Sequence, residues 1–91
     1  MNIDIETIGG VCPMQIEGLI DDVEFYFRAR GQAWALHVGG EEICLNPKWS
    51  YEEAYGATPY AAGYMTEGEA VEFLHEAAAM YVEWRDAQMP S

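Results

Sequence analysis

Apolar residues recur with a period of two through the first half of the chain. From Asn2 to Ile8, Ile3 and Ile5 alternate with Asp4 and Glu6 until Gly9-Gly10 breaks the pattern. A second run, from about Met14 to Ile20, places Met14, Ile16 and Ile20 on one face, interrupted by Gly18. The polar pair Asp21-Asp22 marks a short turn into Val23–Arg30, the octet with the strongest strand signal in the chain. There Val23, Phe25 and Phe27 point one way, and Glu24, Tyr26 and Arg28 the other. Gly31-Gln32 permits a second tight reversal into Ala33–Val38, where Trp34, Leu36 and Val38 share a face. Gly39-Gly40 ends that run, and Glu41 to Leu45 is expected to add a further short strand before Pro47. The pattern predicts an antiparallel meander with one packed face and one wet face.

The second half changes period. Trp49 to Gly56 reads as a helical turn or two, with Ser50 as N-cap and Glu53 three residues later in a capping-box spacing. Ala57 to Met65, with Pro59 and Gly63, reads as a loop. Thr66 is the expected N-cap of a long helix, with Glu67 and Glu69 favourable in its first turn and Pro90 as its stop. At 100° per residue, Ala70, Phe73, Leu74, Ala77, Met80, Tyr81 and Trp84 fall within an arc of roughly 120°, the face expected to cover the sheet. The expected architecture is a single α+β domain over residues 1–91. It has an antiparallel sheet of three to five strands packed on one long C-terminal helix, with a short helix before it.

Charge alters what such a domain can do. Sixteen acidic residues against four basic ones give a net charge of −12. Direct nucleic-acid binding is excluded, because it rests on cations neutralising phosphates, and anionic membranes are disfavoured for the same reason. The expected partner is a positively charged protein surface. Disorder does not fit a chain that is 51% hydrophobic and 13% aromatic. No run approaches the ~20 apolar residues a membrane helix needs, and Met1–Glu6 lacks the cationic and apolar regions of a secretory signal. The expected location is therefore cytoplasmic, with Cys12 and Cys44 as reduced thiols.

No catalytic, cofactor or metal site is expected. Cys12, His37, Cys44 and His75 contain no paired ligand spacing of a zinc site, and the carboxylates do not follow an EF-hand order. No nucleophile motif and no phosphate loop is present.

Two groups of residues remain. Glu69, Glu72, Glu76 and Glu83 fall in one arc of about 60° on the helix, rising by roughly 4.5, 6 and 10.5 Å, with no cation between them. They form either a solvated face or a rigid ridge of negative charge spaced like neighbouring phosphates. Trp49, Tyr51, Tyr55, Tyr60 and Tyr64 cluster beside Glu52 and Glu53. They form either a satellite of the core or the aromatic anchors of an interface.

Tyr51-Glu52-Glu53-Ala54-Tyr55-Gly56 resembles the Y-E-E-A-Y-G segment of a phage-encoded anti-CRISPR family that inhibits type I-F systems, and Glu24-Phe25-Tyr26 resembles its E-F-Y strand. The resemblance implies a protein made in a bacterial host from a phage or mobile element. It implies binding to the large subunit of the Cascade surveillance complex, where basic residues engage target DNA. The family's paired glutamates correspond to Glu52 and Glu53, and a contacting aspartate corresponds to Asp21 or Asp22 at a different spacing. A longer insert from Trp34 to Leu45 and a far longer C-terminal helix depart from the family, leaving type I-C as well as type I-F open. The expected contact set is Asp21, Asp22, Tyr51, Glu52, Glu53, Glu69, Glu72 and Glu76, acting by mimicry of DNA phosphates. Two alternatives stand beside this reading: neutralisation of another basic partner such as a toxin, repressor or nuclease, and a structural homodimer or adaptor. Monomer and homodimer are both left open.

Overall fold

The computed structural model describes residues 1–10, 14–43, 45–56 and 61–88. Its five strands are β1 (Ile3–Gly9), β2 (Met14–Ile20), β3 (Val23–Arg30), β4 (Ala33–Val38) and β5 (Trp49–Ala54). They form one antiparallel sheet in sequence order, β1-β2-β3-β4-β5. A 3-10 turn at Ala62–Tyr64 precedes the long helix α1 (Glu67–Gln88). The α+β architecture is the expected one, with the sheet at the upper limit of its expected strand number. The expected helical stop, Pro90, lies outside the described residues, as do Cys12, Cys44, Pro59 and Tyr60.

Period-two patterning places the core on one side of the sheet. Along β2 the side chains of Met14, Ile16 and Ile20 are buried while Gln15 and Glu17 face solvent. The same alternation buries Phe25 and Phe27 on β3 and Trp34, Leu36 and Val38 on β4. Full burial of each such side chain stabilises by about 1.5–3 kcal/mol, so this face supplies the main driving force. No charged or polar side chain is buried among the described residues. The β2–β3 hairpin closes through Asp21 and Asp22, both left-handed at φ 47° and 68°. Two left-handed residues are what a two-residue turn needs to match the strand twist, and aspartate tolerates that region better than most residues.

Three local expectations change. Trp49–Ala54 is a strand, because pairing with β4 sets Tyr51 opposite Leu36 and Trp49 opposite Val38, which half-buries both aromatics. That tertiary gain outweighs the local Ser50/Glu53 capping pattern, and the short helix falls instead at Ala62–Tyr64, in the segment read as loop. Glu41 to Leu45 forms no strand among the described residues. A single bridge joins Glu42 to Asn46, and the amides of Leu45 and Asn46 both donate to the Glu42 carbonyl, at 3.1 and 2.6 Å, closing a turn. On α1, Ala70, Leu74, Ala77 and Tyr81 are buried as expected, but Met80 is 41% exposed and Ala78 is buried instead. Met80 lies about 20° further round the helix than Phe73, which reaches Trp34 and Tyr55, and so overhangs the β5 side of the sheet.

The N-terminus of α1 carries the capping box that Ser50 and Glu53 do not form. The Glu69 amide donates to Thr66 Oγ1 at 3.1 Å, and the Thr66 amide donates back to Glu69 Oε1 at 3.3 Å. No helix among the described residues is long and apolar enough to cross a membrane.

Gly18 is required where β2 lies against β1 with no room for a side chain. A Cβ there would fall on the Asp4 carbonyl oxygen and 3.0 Å from the Phe25 ring, so backbone would have to move. Gly18→Ala is expected to destabilise the domain by about 1–3 kcal/mol. Urea unfolding measures this, and an unchanged midpoint would mean that the strands are not this close.

Candidate protein-binding surface

The side of the molecule where α1 overhangs β5 joins aromatic and acidic groups. Trp34 stacks on Phe73 with ring centroids 5.1 Å apart, and Phe73 meets Tyr55 edge-on at 5.7 Å. Trp49 stacks with Tyr51 at 6.5 Å and meets Tyr81 edge-on at 5.6 Å, and Tyr81 meets Trp84 at 6.2 Å. Such pairs add about 0.5–1.5 kcal/mol each beyond area burial. Trp49, Tyr51, Tyr55, Phe73 and Trp84 remain half-buried, so this seam is also a partly accessible surface. Tyr64, expected in the same cluster, stands apart at 68% exposure in the 3-10 turn.

The expected contact residues do not gather into one patch. Strand alternation places Glu53 on the helix side of β5 with Trp49 and Tyr51, directly opposite Trp34, and Glu52 on the open side opposite Ala35. Both carboxylates are exposed. Glu72, Glu76 and Glu83 are exposed on the outer face of α1, turned away from the sheet. Asp21 and Asp22 lie at the β2–β3 turn, next to the C-terminal end of the helix.

Two of these carboxylates are engaged inside the molecule. Asp21 Oδ2 accepts from Arg85 Nη1 at 2.8 Å and Asp21 Oδ1 accepts from the Asn2 amide at 2.6 Å. This clasp ties the hairpin, the N-terminal segment and the end of α1. The guanidinium, followed by the Asn2 amide, holds the Asp21 carboxyl below its usual range. Arg85 also lies over the Tyr81 ring, 5.8 Å from its centroid. At the other end of the helix, Tyr55 Oη donates to Glu69 Oε2 at 2.6 Å. That hydroxyl, helped by the Thr66 amide, lowers the Glu69 pKa, and the same bond raises that of Tyr55. The two clasps are about 24 Å apart along the helix. The sequence analysis missed Arg85, although a single cation in the last turn of a helix is a signal for such an anchor.

Arg85 is the one cation with a carboxylate partner among the described residues. Arg28 and Arg30 lie on the open face of the sheet, where with Ala33, Ala35 and Glu52 they line a shallow depression of about 330 Å³. His37 is on the same face and donates from Nδ1 to the Ile43 carbonyl at 2.9 Å. The Trp34 indole N–H is buried without an acceptor among the described residues. No His, Cys, Asp and Glu group capable of holding a metal ion occurs among them.

Compared with known proteins, the chain matches no family model, and no curated protein and no solved structure is significantly similar to it.

The two clasps have a defined pH signature. Both carboxylates titrate below their ordinary values of 3.8 for Asp21 and 4.5 for Glu69. Their contribution is therefore complete above those values and is lost as pH falls through the depressed folded-state pKa. The Tyr55 hydroxyl, raised above 10.0, contributes in the opposite sense, with stability present below that value and lost as pH rises through the raised one. Acidification also relieves repulsion among the other carboxylates, so the comparison must be made against a variant. Asp21→Asn combined with Glu69→Gln is expected to flatten the fall in urea midpoint between about pH 5 and pH 2 relative to the parent chain. Parallel curves would mean that neither clasp persists in solution.

Proposed function

We propose that this domain is an inhibitor that binds a Lys/Arg-lined DNA-binding surface on another protein and keeps DNA from it. The target implied by the sequence resemblance is the large subunit of a type I Cascade complex, in the cytoplasm of a bacterial host. The observation that carries the reading is the un-neutralised acidic face of a helix anchored at both ends. Glu72, Glu76 and Glu83 are exposed, none has a cationic partner among the described residues, and the Tyr55–Glu69 and Arg85–Asp21 contacts hold the helix that presents them.

Rigidity matters because a DNA-binding groove reads phosphates chiefly by charge at fixed spacing. A mobile acidic tail would lose conformational freedom on binding, whereas a folded helix has already lost it. Within the expected contact set, Asp21 and Glu69 act as anchors of the fold. Asp22, Glu52, Glu53, Glu72 and Glu76 are left as the groups that meet the partner, with Glu83 extending the ridge. Tyr51 contributes by packing against Trp34 and Trp49 on the face of β5 that carries Glu53.

Competition between this protein and a PAM-containing duplex for purified type I-C and type I-F Cascade tests the proposal. Expected are displacement or blocking of the DNA that weakens steeply with salt, and a loss of about tenfold or more in affinity for Glu72→Lys with Glu76→Lys and for Glu52→Lys with Glu53→Lys. Asp21→Asn is expected to leave inhibition intact under conditions where the domain stays folded. Binding with DNA still in place would move the mechanism to a later step such as nuclease recruitment. Absence of binding to both complexes would remove Cascade as the target and direct the search to other basic proteins.

A further inference from the structure

We infer that the free edge of β5 is the element that grips the partner, taking an extended basic segment as a sixth, main-chain-paired strand. The inference rests on the partner being basic and adds the form in which its basic groups arrive.

An open sheet has two edges, here β1 and β5. The β1 edge is broken by a register shift between Ile5 and Thr7, which interrupts the regular spacing an added strand requires. β5 pairs with β4 over all six residues without a shift, so its hydrogen-bonding register is regular. Apart from the β4 ladder, no hydrogen bond joins Trp49–Ala54 to any other described residue. Among the described residues, the outer side of the strand thus presents a row of amides and carbonyls with no partner. Helix α1 overhangs one face of the sheet near this strand, and no hydrogen bond joins it to Trp49–Ala54.

The side chains at that edge select the occupant. An added strand would meet Glu52 on the open face and Glu53 on the helix face, one carboxylate for each direction in which its own side chains alternate. On the helix face it would also lie beside Trp49 and Tyr51, both half-buried and able to cover an aliphatic stem. Alternating or paired Lys and Arg with apolar residues between them satisfies both faces. A second copy of this chain does not fit: β5 against β5 would bring four carboxylates into one short ladder, between molecules that each carry −12. The same charges that keep the edge from pairing with itself therefore make it selective for a basic strand.

The test uses the full chain, ¹⁵N-labelled, with an acetylated and amidated octapeptide of alternating Lys and Val. A second octapeptide of the same sequence and charge is N-methylated at every residue, so that neither of its edges can donate to a neighbouring strand. Expected are shifts and slowed amide exchange centred on Trp49–Ala54, with binding weakened at least about tenfold by the N-methyl groups and by Glu52→Lys with Glu53→Lys. Glu52→Gln with Glu53→Gln serves where charge reversal perturbs folding and is expected to weaken binding in the same direction. Equal binding of the methylated peptide, or shifts confined to Glu72 and Glu76, would overturn strand addition while leaving a basic partner intact. Protection of β5 by self-association, read by sedimentation, would also overturn it. Peptide capture at β5 without Cascade binding would remove the proposed target and leave this inference standing. DNA displacement from Cascade without peptide binding would do the reverse.

Discussion

The structure depends on seating one helix across one face of a single-layer sheet. Phe27, Trp34, Leu36 and Val38 have no second sheet to bury them, and among the described residues their cover comes from α1 and the short turn before it. A two-layer domain of this size has little surplus core, so loss of the helix would expose most of its apolar surface at once. The two ends of α1 are accordingly tied by specific polar contacts, Glu69 with Tyr55 and Arg85 with Asp21. Between them the contact is made by aromatic rings and small residues, with Ala70, Ala77 and Ala78 allowing the helix to approach closely.

Much of this frame was legible in the period of the sequence. Strands β2 to β4, the Asp21-Asp22 hairpin and the Thr66 cap follow from local patterns that agree with the global fold. β5 was not legible, because Ser50-x-x-Glu53 is a helix-start pattern and only the register with β4 reveals that Trp49 and Tyr51 have a sheet face to cover. Met80 illustrates the same limit on α1. A helical wheel ranks positions by angle, but the sheet ends at β5, and a side chain on the β5 flank of the arc passes beyond it. The Asp21–Arg85 clasp spans 64 positions in sequence, and although a cation in the last turn of α1 marks an anchor, nothing local names Asp21 as its partner.

The acidic candidates were legible as a class and not as individuals. Composition identifies a protein whose carboxylates far exceed its cations, and helical spacing identifies the Glu72–Glu76–Glu83 ridge. Neither separates a carboxylate that meets a partner from one that holds the fold. That separation needs the atoms: the Tyr55 hydroxyl on Glu69, and the guanidinium and Asn2 amide on Asp21. The exposed Glu52 and Glu53 differ in another respect that sequence does not reveal, since they point to opposite faces of an edge strand.

Net charge and edge geometry bear on each other. A charge of −12 destabilises a compact domain by self-repulsion, and Arg28, Arg30 and Lys48 do not relieve it by pairing with carboxylates among the described residues. Arg28 and Arg30 sit on the open face of β3, in one depression with Glu52 but without an ion pair to it, and the outer face of α1 carries uninterrupted negative charge. The cost of that arrangement is recovered when a basic partner arrives, because each carboxylate then gains a counter-charge that the folded chain alone withholds. Binding and folding stability are thereby coupled: a partner that neutralises Glu52, Glu53 and the helical ridge also removes the repulsion that opposes the native state.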